Sequence, residues 1–458
     1  MTGQPARPLI FCLPDDLLIE VAAALHHDQQ LYPNPDRGLK AEWVLSRVSQ
    51  RFQHVILHAR ELWTVIEVEL QSNGSMNILQ LYLERSGAYA IWLTVRDSLS
   101  LQSSSRLVQC LNYILPHLGR IWQLNFLARL TPISPHGSPR LSRLDVMYKL
   151  AFWDKLVSTL KDLAAPKLRR LSLELDDGSI NGGFISDVEL FTLGVPLLTH
   201  LTISGFTPSI PHLDFLKNIT HLEMWHCRVV VPVSFTKHLQ DIVASCPALL
   251  SLAVDVRAYE ISGVHAILSL PGLRALRLWC STRTRSEYLP GLLATFDAPS
   301  LETLTIAHGH AMHVRALFGP WPGGTPRASF PVLSSLTFIG LRHASGDIQG
   351  GGAESAMVPP LHLFPAMSTL NLIHQHGTVQ LIRALWGPNA QKAWPSLRTL
   401  MLCPRTEDVG RVGGALTEAR RTETRLPRLT LSAALRDQTG MEVELFDPAD
   451  IMRACRCL

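Results

Sequence analysis

The sequence has no long apolar run. Among its 458 residues, the opening stretch MTGQPARPLIFCLPDD holds only five consecutive apolar residues, ending at Leu13 ahead of two aspartates. That is too short for a secretory leader, and no later run is long enough to span a bilayer. A cytoplasmic or nuclear setting is expected, with no membrane partner. An excess of one charge is also missing: 42 Lys and Arg face 38 Asp and Glu, a formal net charge of +4. Such a balance leaves no electrostatic footprint for a nucleic acid. Cysteine is sparse and scattered, at Cys12, Cys110, Cys227, Cys246, Cys280, Cys403, Cys455 and Cys457. No pair of CxxC knuckles at zinc spacing occurs, so neither a structural zinc nor a disulfide framework is expected. With 47% apolar and 17% charged residues, the chain belongs with folded proteins rather than disordered ones.

Catalytic signatures are lacking as well. There is no Gly-x-Ser-x-Gly elbow, no His-Glu-x-x-His pair and no dinucleotide fingerprint. GDIQGGGAESAMVPP (346–360) has neither the lysine nor the strand-to-helix context of a phosphate loop; with GPWPGGTPRAS (319–329) it reads as a surface insertion. HGHAMH follows an expected strand, and its imidazoles suit zinc, which would make a metal-dependent hydrolase at His308, His310 and His313. Its spacing is similar to the binding line of metallo-β-lactamases, but Met312 stands where that family carries aspartate, and no downstream His and Asp set completes two sites. HQH (374–376) and EARRTETRLPR (418–428) read as a solvated turn and a solvated helix end. The terminal CRCL has the outline of a prenyl acceptor, but Arg456 and Cys457 replace the aliphatic pair. No catalytic residue, metal or cofactor is expected.

What is present divides into two patterns. LPDDLLIEVAAAL (13–25) places Pro14 at a helix start, Asp15 and Asp16 at the positive end of the dipole, and Leu17, Leu18, Val21 and Leu25 at helical spacing. A polar loop follows, and the helical stripe resumes through Val44, Leu45, Val48, Phe52, Val55 and Ile56 to Leu62 and Trp63. About fifty residues of this kind bury too little surface to stand alone, so part of their apolar face needs a partner from the same chain or another. After Trp63, VIEVEL and AIWLTV alternate as strands do, with a helical MNILQLYLERSG between them. Then a phrase recurs about 22 to 34 residues apart, with the skeleton Pro-x-Leu-x-x-Leu-x-Leu. It begins at SPRLSRLDVMY (138–148) and continues through APKLRRLSLEL, VPLLTHLTISG and LKNITHLEMWHC to WPSLRTLMLCP (394–404). The second and third leucines point inward from a short strand and the first fills the preceding turn, while each proline is expected to end a helix. FTKHLQDIVASC (235–246) has the spacing of a helical return.

The opening helices resemble the F-box, which begins Leu-Pro-x-Glu/Asp-Leu-Leu, continues through Val-Ser/Cys-x-x-Phe/Trp and closes on Leu-Trp. Leu13, Pro14, Asp15, Leu17, Leu18, Val48, Ser49, Arg51, Phe52, Leu62 and Trp63 fall on matching positions. The remainder is similar to leucine-rich repeats in degenerate form. Asp176, Phe206, Ser281, Gly309, Leu341 and Arg405 occupy the place of the repeat asparagine, which predicts uneven repeats and insertions. The whole resembles an F-box protein of the F-box-like kind found in fungi.

The expected fold class is α/β. A helical F-box-like domain (10–63) precedes an irregular leucine-rich-repeat solenoid (64–435), its parallel sheet on the concave face, and a C-terminal tail or cap (436–458). The resemblance implies the substrate-choosing subunit of a Skp/cullin/F-box ubiquitin ligase, itself non-catalytic. Leu13, Pro14, Asp15, Leu17, Leu18, Val21, Leu45, Val48, Ser49, Arg51, Phe52, Leu62 and Trp63 would dock a Skp-type adaptor, and through it a cullin. Arg170, Glu174, His221, Glu223, Trp225, Asp255, Arg277, Trp279, Thr303 and Asn371 would face a protein target from the concave sheet, with Trp225 and Trp279 as its contact centre. The alternative is a repeat scaffold without ligase function, its opening helices folded back as a cap.

Overall fold

The computed structural model describes residues 13–31, 40–98, 103–129, 143–176, 184–186, 189–208, 214–225, 235–255, 267–280, 288–307, 330–340, 364–374, 378–386, 396–404, 406–422, 428–432, 435 and 444–445. Within them the chain is a mixed α/β protein built on parallel strands, and no helix there is long and apolar enough to cross a membrane. It divides into two compact units, one of residues 1–179 and 189–198, the other of residues 180–188 and 199–458. The opening helices belong to the first of these units.

The first unit opens with α1 (Asp15–Leu31), α2 (Ala41–Leu45) and α3 (Gln50–His58), followed by a tight turn at Arg60–Trp63. It continues through β1 (Val65–Glu69), α4 (Ser75–Arg85), β2 (Ile91–Asp97), α5 (Ser103–Ile114), β3 (Ile121–Arg129), α6 (Arg143–Leu160) and β4 (Arg170–Asp176). The strands pair in parallel in the order β1-β2-β3-β4. Alternation is strict: Ile66 and Val68, then Ile91, Leu93 and Val95, then Leu124 and Phe126, then Leu171 and Leu173 are buried on one face. One phrase expected as a strand is not one. SPRLSRLDVMY runs into α6, because KLAFWDKLVSTL continues from it with Phe152, Trp153, Leu156 and Leu160 at helical spacing, all four buried. The neighbouring strand is β3, whose phrase was disguised. It carries Gly119 where the skeleton has proline, while Ile121, Leu124 and Phe126 keep the leucine spacing, and the β2–β3 register shifts there by a bulge at Trp122.

The second unit contains β5 (Phe184–Ser186), β6 (His200–Ser204), β7 (Phe206–Pro208), β8 (His221–Trp225), α7 (Phe235–Ser245) and β9 (Ser251–Asp255). It goes on with β10 (Leu268–Ser269), β11 (Ala275–Trp279), α8 (Tyr288–Leu293), β12 (Phe296–Asp297), β13 (Thr303–Ala307), β14 (Ser335–Ile339) and β15 (Thr369–Ile373). It ends with α9 (Thr378–Trp386), β16 (Thr399–Cys403), α10 (Val409–Thr422), β17 (Arg428–Leu431) and β18 (Glu444–Leu445). Parallel pairing runs β6-β8-β9-β11-β13-β14-β15-β16-β17-β18, so β18 extends the sheet into the region expected as a tail. Two further parallel pairs, β5 with β7 and β10 with β12, stand apart.

The recurring phrase has one physical form. The residue before each proline accepts a backbone hydrogen bond from the leucine three positions on: Val195 from Leu198 and Ala298 from Leu301, both at 3.1 Å, and Phe330 from Leu333 at 3.2 Å. Proline thus occupies the second position of a β-turn, which its fixed φ favours, rather than closing the helix before it. At the turns that begin at Ala165, Val195, Cys246, Leu270, Ala298, Phe330 and Phe364, that residue and the one three positions on are both buried, and Phe330 stacks on Phe364 from the next turn at 6.1 Å. Two inward rows follow along the strands, Leu222, Leu252, Leu276, Leu304, Leu336, Leu370 and Leu400, then Met224, Val254, Leu278, Ile306, Phe338, Leu372 and Leu402, all buried. Burying each such side chain contributes about 1.5–3 kcal/mol.

Candidate functional site

Two surfaces carry the residues singled out from the sequence. In the opening helices most of the motif lies inside. Leu18, Phe52 and Val55 form a buried cluster, with Leu13, Ile19 and Leu45 half-buried against it. Ser49 caps α3, its hydroxyl accepting from the Phe52 N–H at 3.2 Å, a contact that gives one of the helix's otherwise unpaired donors an acceptor. Arg51 donates to Asp15 Oδ1 at 2.6 Å and to the Leu13 carbonyl at 2.5 Å, tying α3 to the start of α1.

Trp63 is 1% exposed and sits edge-on to Trp43 and Tyr82, its indole N–H donating to the Ile56 carbonyl at 3.0 Å, with Arg85 stacked 4.5 Å over its ring. Tyr82 receives the Trp43 N–H at 3.1 Å and donates its own hydroxyl to the buried Glu42 carboxylate. Burial, reinforced by that carboxylate, raises the Tyr82 pKa far above its ordinary value, so the phenol stays a donor. Lys40 lies 4.7 Å over the Tyr82 ring, and burial lowers its pKa against the opposing pull of Glu42. These contacts fasten α2 to α4.

Four residues of the expected adaptor surface, Leu18, Phe52, Leu62 and Trp63, are buried in their own chain, Leu18 and Phe52 in the cluster with Val55 and Trp63 against Trp43 and Tyr82. Pro14, Leu17, Val21 and Val48 remain outside, and Leu25 and Val44, members of the helical stripes not assigned to the adaptor, join them. Leu17 at 43%, Val21 at 39% and Leu25 at 45% exposure form one stripe at four-residue spacing along α1, with Val44 and Val48 both 47% exposed on α2 and the turn after it. The spacing was visible in the sequence, but the direction each side chain faces was not.

The second surface is the strand face opposite the leucine rows. His221, Glu223, Trp225, Asp255, Arg277 and Trp279 are gathered on three neighbouring strands, β8, β9 and β11, in the second unit. The rings of Trp225 and Trp279 meet across β9, centroids 4.7 Å apart and tilted by 56°. The Trp225 N–H donates to Glu223 at 3.2 Å. His221 stacks on His200 with centroids 4.1 Å apart and planes within 5°. Asp255 and Arg277 are buried, contrary to the expectation that they face a target: Asp255 sits on the strand that the two tryptophan rings bridge, registered beside Trp279. Farther along, Thr303 is exposed on β13, and Asn371 on β15 donates to Thr337 at 2.9 Å. At the ends of β13 to β16, Ala307, Ile339, Ile373 and Cys403 make a second buried apolar cluster against which Trp279 packs, so this face is not wholly open. Arg170 and Glu174 lie in the first unit, and Glu174 accepts from Ser172 at 2.6 Å.

Among the described residues, no group of three His, Cys, Asp or Glu side chains could hold a metal. His308, His310 and His313 lie outside those residues, as does the CRCL end; His374 closes β15, its N–H donating to the Cys403 carbonyl. Burial pushes the thiols of Cys110, Cys246 and Cys280 up to about 12, which leaves them protonated and poorly nucleophilic. The groove between α7 and β10, lined by Val243, Cys246, Leu249, Leu268 and Leu270, carries no charged side chain.

No protein-family model matches the chain, and no curated protein matches it either.

Proposed function

We propose that the protein is the target-binding subunit of a Skp/cullin/F-box-type ubiquitin ligase. In this reading the stripe Leu17, Val21 and Leu25, with Val44 and Val48, docks a Skp-type adaptor, and the Trp225–Trp279 face holds a protein target. The observation that carries it is the stripe itself: five large apolar side chains stay exposed on helices whose other side is fixed by Phe52, Leu62 and Trp63. An apolar face maintained on an anchored scaffold is the make-up of a protein interface. The repeated proline turn and the two leucine rows support reading the strands as a degenerate leucine-rich-repeat solenoid. The mechanism is proximity: a target held on the sheet face sits at high effective concentration beside a ubiquitin-loaded enzyme carried elsewhere in the complex. No catalytic residue is required of this chain.

The scaffold-and-cap alternative has its own supporting observation, since Phe52, Leu62 and Trp63 are buried within the unit that contains the first strands. Co-elution decides between the two. Mixed with a Skp-type adaptor and a cullin N-terminal region, the chain is expected to elute as a ternary complex on size exclusion. Separate elution of all three would leave the cap.

A further inference from the structure

The first unit carries a second aromatic cluster, on the strand face opposite its buried rows. Trp92 on β2 is 43% exposed and stacks on Trp122 of β3, centroids 5.4 Å apart and planes within 20°. The stack exists because of the bulge: Ile91 pairs with Ile121 but Trp92 with Gln123, so Trp122 is the extra residue and its side chain is re-aimed. The guanidinium carbons of Arg169 and Arg170 lie 5.9 and 5.6 Å from the Trp122 ring centre. Lys167, two residues before Arg169, is exposed, as are both arginines. On the same face Glu67 pairs with Arg96 at 3.4 Å and Glu174 accepts from Ser172. The result is two guanidinium groups over a half-buried indole that is itself stacked on an exposed one. A guanidinium stacked on an aromatic ring keeps its in-plane N–H groups directed outward, where they match a carboxylate.

We propose that this platform of Trp92, Trp122, Arg169 and Arg170 binds an acidic protein segment, a carboxylate on the guanidinium edge and an apolar side chain on the exposed Trp92 face. Charge complementarity selects the acidic partner, and tryptophan with arginine is the usual composition of a binding hot spot. A single-stranded nucleic acid would also stack on such a platform, but the near-balanced charge of this chain favours a protein segment over a polyanion. The site goes beyond the ligase reading and requires no adaptor, so either can fail while the other stands.

The test is fluorescence anisotropy on the full chain with three labelled probes: a peptide of repeated Glu-Phe-Asp-Leu units, the same peptide with lysine at every acidic position, and oligo-dT. The acidic peptide is expected to bind with a Kd of about 10–100 μM, and more weakly as salt rises. Binding should fall at least about tenfold in Arg170→Glu and in Trp92→Ala, and by less in Arg170→Lys. Thermal melts of the variants check folding, and two separate exposed positions guard against one that fails to fold. The proposal is overturned if the acidic peptide shows no binding up to about 1 mM, if the lysine peptide binds as well, or if the variants bind unchanged. Tighter binding of oligo-dT, lost in the same variants, would also overturn it and make the platform a nucleic-acid site.

Discussion

The opening helices and the strands of the second unit bury their leucines by different means. The helices are held by a few unlike contacts: the Trp63 indole in its aromatic cage, the Tyr82 hydroxyl on Glu42, the Ser49 cap and the Arg51–Asp15 pair. The strands are held by one device repeated, a proline turn followed by two inward leucines. A structure made of unlike contacts depends most on its buried ones, with no repeat to share the loss. A repeated one loses only a share, because each unit leans mainly on its neighbours.

The largest expected effects test that contrast directly. Trp63→Ala should cost about 3–5 kcal/mol, and Leu304→Ala, in the middle of the leucine rows, about 2–5 kcal/mol. The two should differ in extent. Hydrogen exchange in Trp63→Ala should quicken across α2, α3, β1 and α4, whereas Leu304→Ala should affect β11, β13 and β14 alone. Equal spread in both would end the comparison. Next in size is Tyr82→Phe, which removes the hydroxyl given to the buried Glu42 carboxylate and should cost about 1–3 kcal/mol by urea denaturation. The Arg51–Asp15 pair, whose side chains are 41% and 57% exposed, should matter far less: Arg51→Ala should cost no more than about 1 kcal/mol.

A smaller effect concerns Asp97, at the end of β2 in the first unit. Burial raises its pKa, opposed by hydrogen bonds from Gln71 and Ser103. Because the folded-state value lies above the unfolded one, the unfolded chain releases this proton first as pH rises. Stability is therefore greatest below the ordinary carboxylate range and declines as pH climbs through the folded-state pKa. Asp97→Asn should be more stable than the parent at neutral pH and lose that advantage in acid, by denaturation curves at both. An advantage independent of pH would contradict the burial argument.

The sequence made the strands legible because their signal is local. Nine of the ten phrases sharing the Pro-x-Leu-x-x-Leu-x-Leu skeleton form strands, and their inward residues are the ones the spacing marks. The exception at residues 138–148 failed because its leucines fit a helix equally well once KLAFWDKLVSTL is joined to them. β3 was hidden because Gly119 stands in the place of its proline, and the Trp92–Trp122 stack was hidden because a bulge leaves no mark on composition. In the helices the spacing located the apolar stripe but could not say which half of it faced inward. That depends on α4 and β1, which supply Tyr82 and Val65 to meet Lys40, Trp43 and Trp63. The Trp225–Trp279 meeting follows from strand order, which short-range pattern only suggests, and the burial of Asp255 and Arg277 follows from what converges on β9 and β11.

The most direct measurement is a titration of the Skp-type adaptor into the full chain and into a Leu17→Asp/Val21→Asp double variant, alongside thermal melts. Both positions are well exposed, so the variant should melt within about 0.5 kcal/mol per site of the parent while binding weakens at least about a hundredfold. Unchanged affinity in the variant, or no affinity in the parent, would contradict the claim that the stripe on the anchored helices is a docking face.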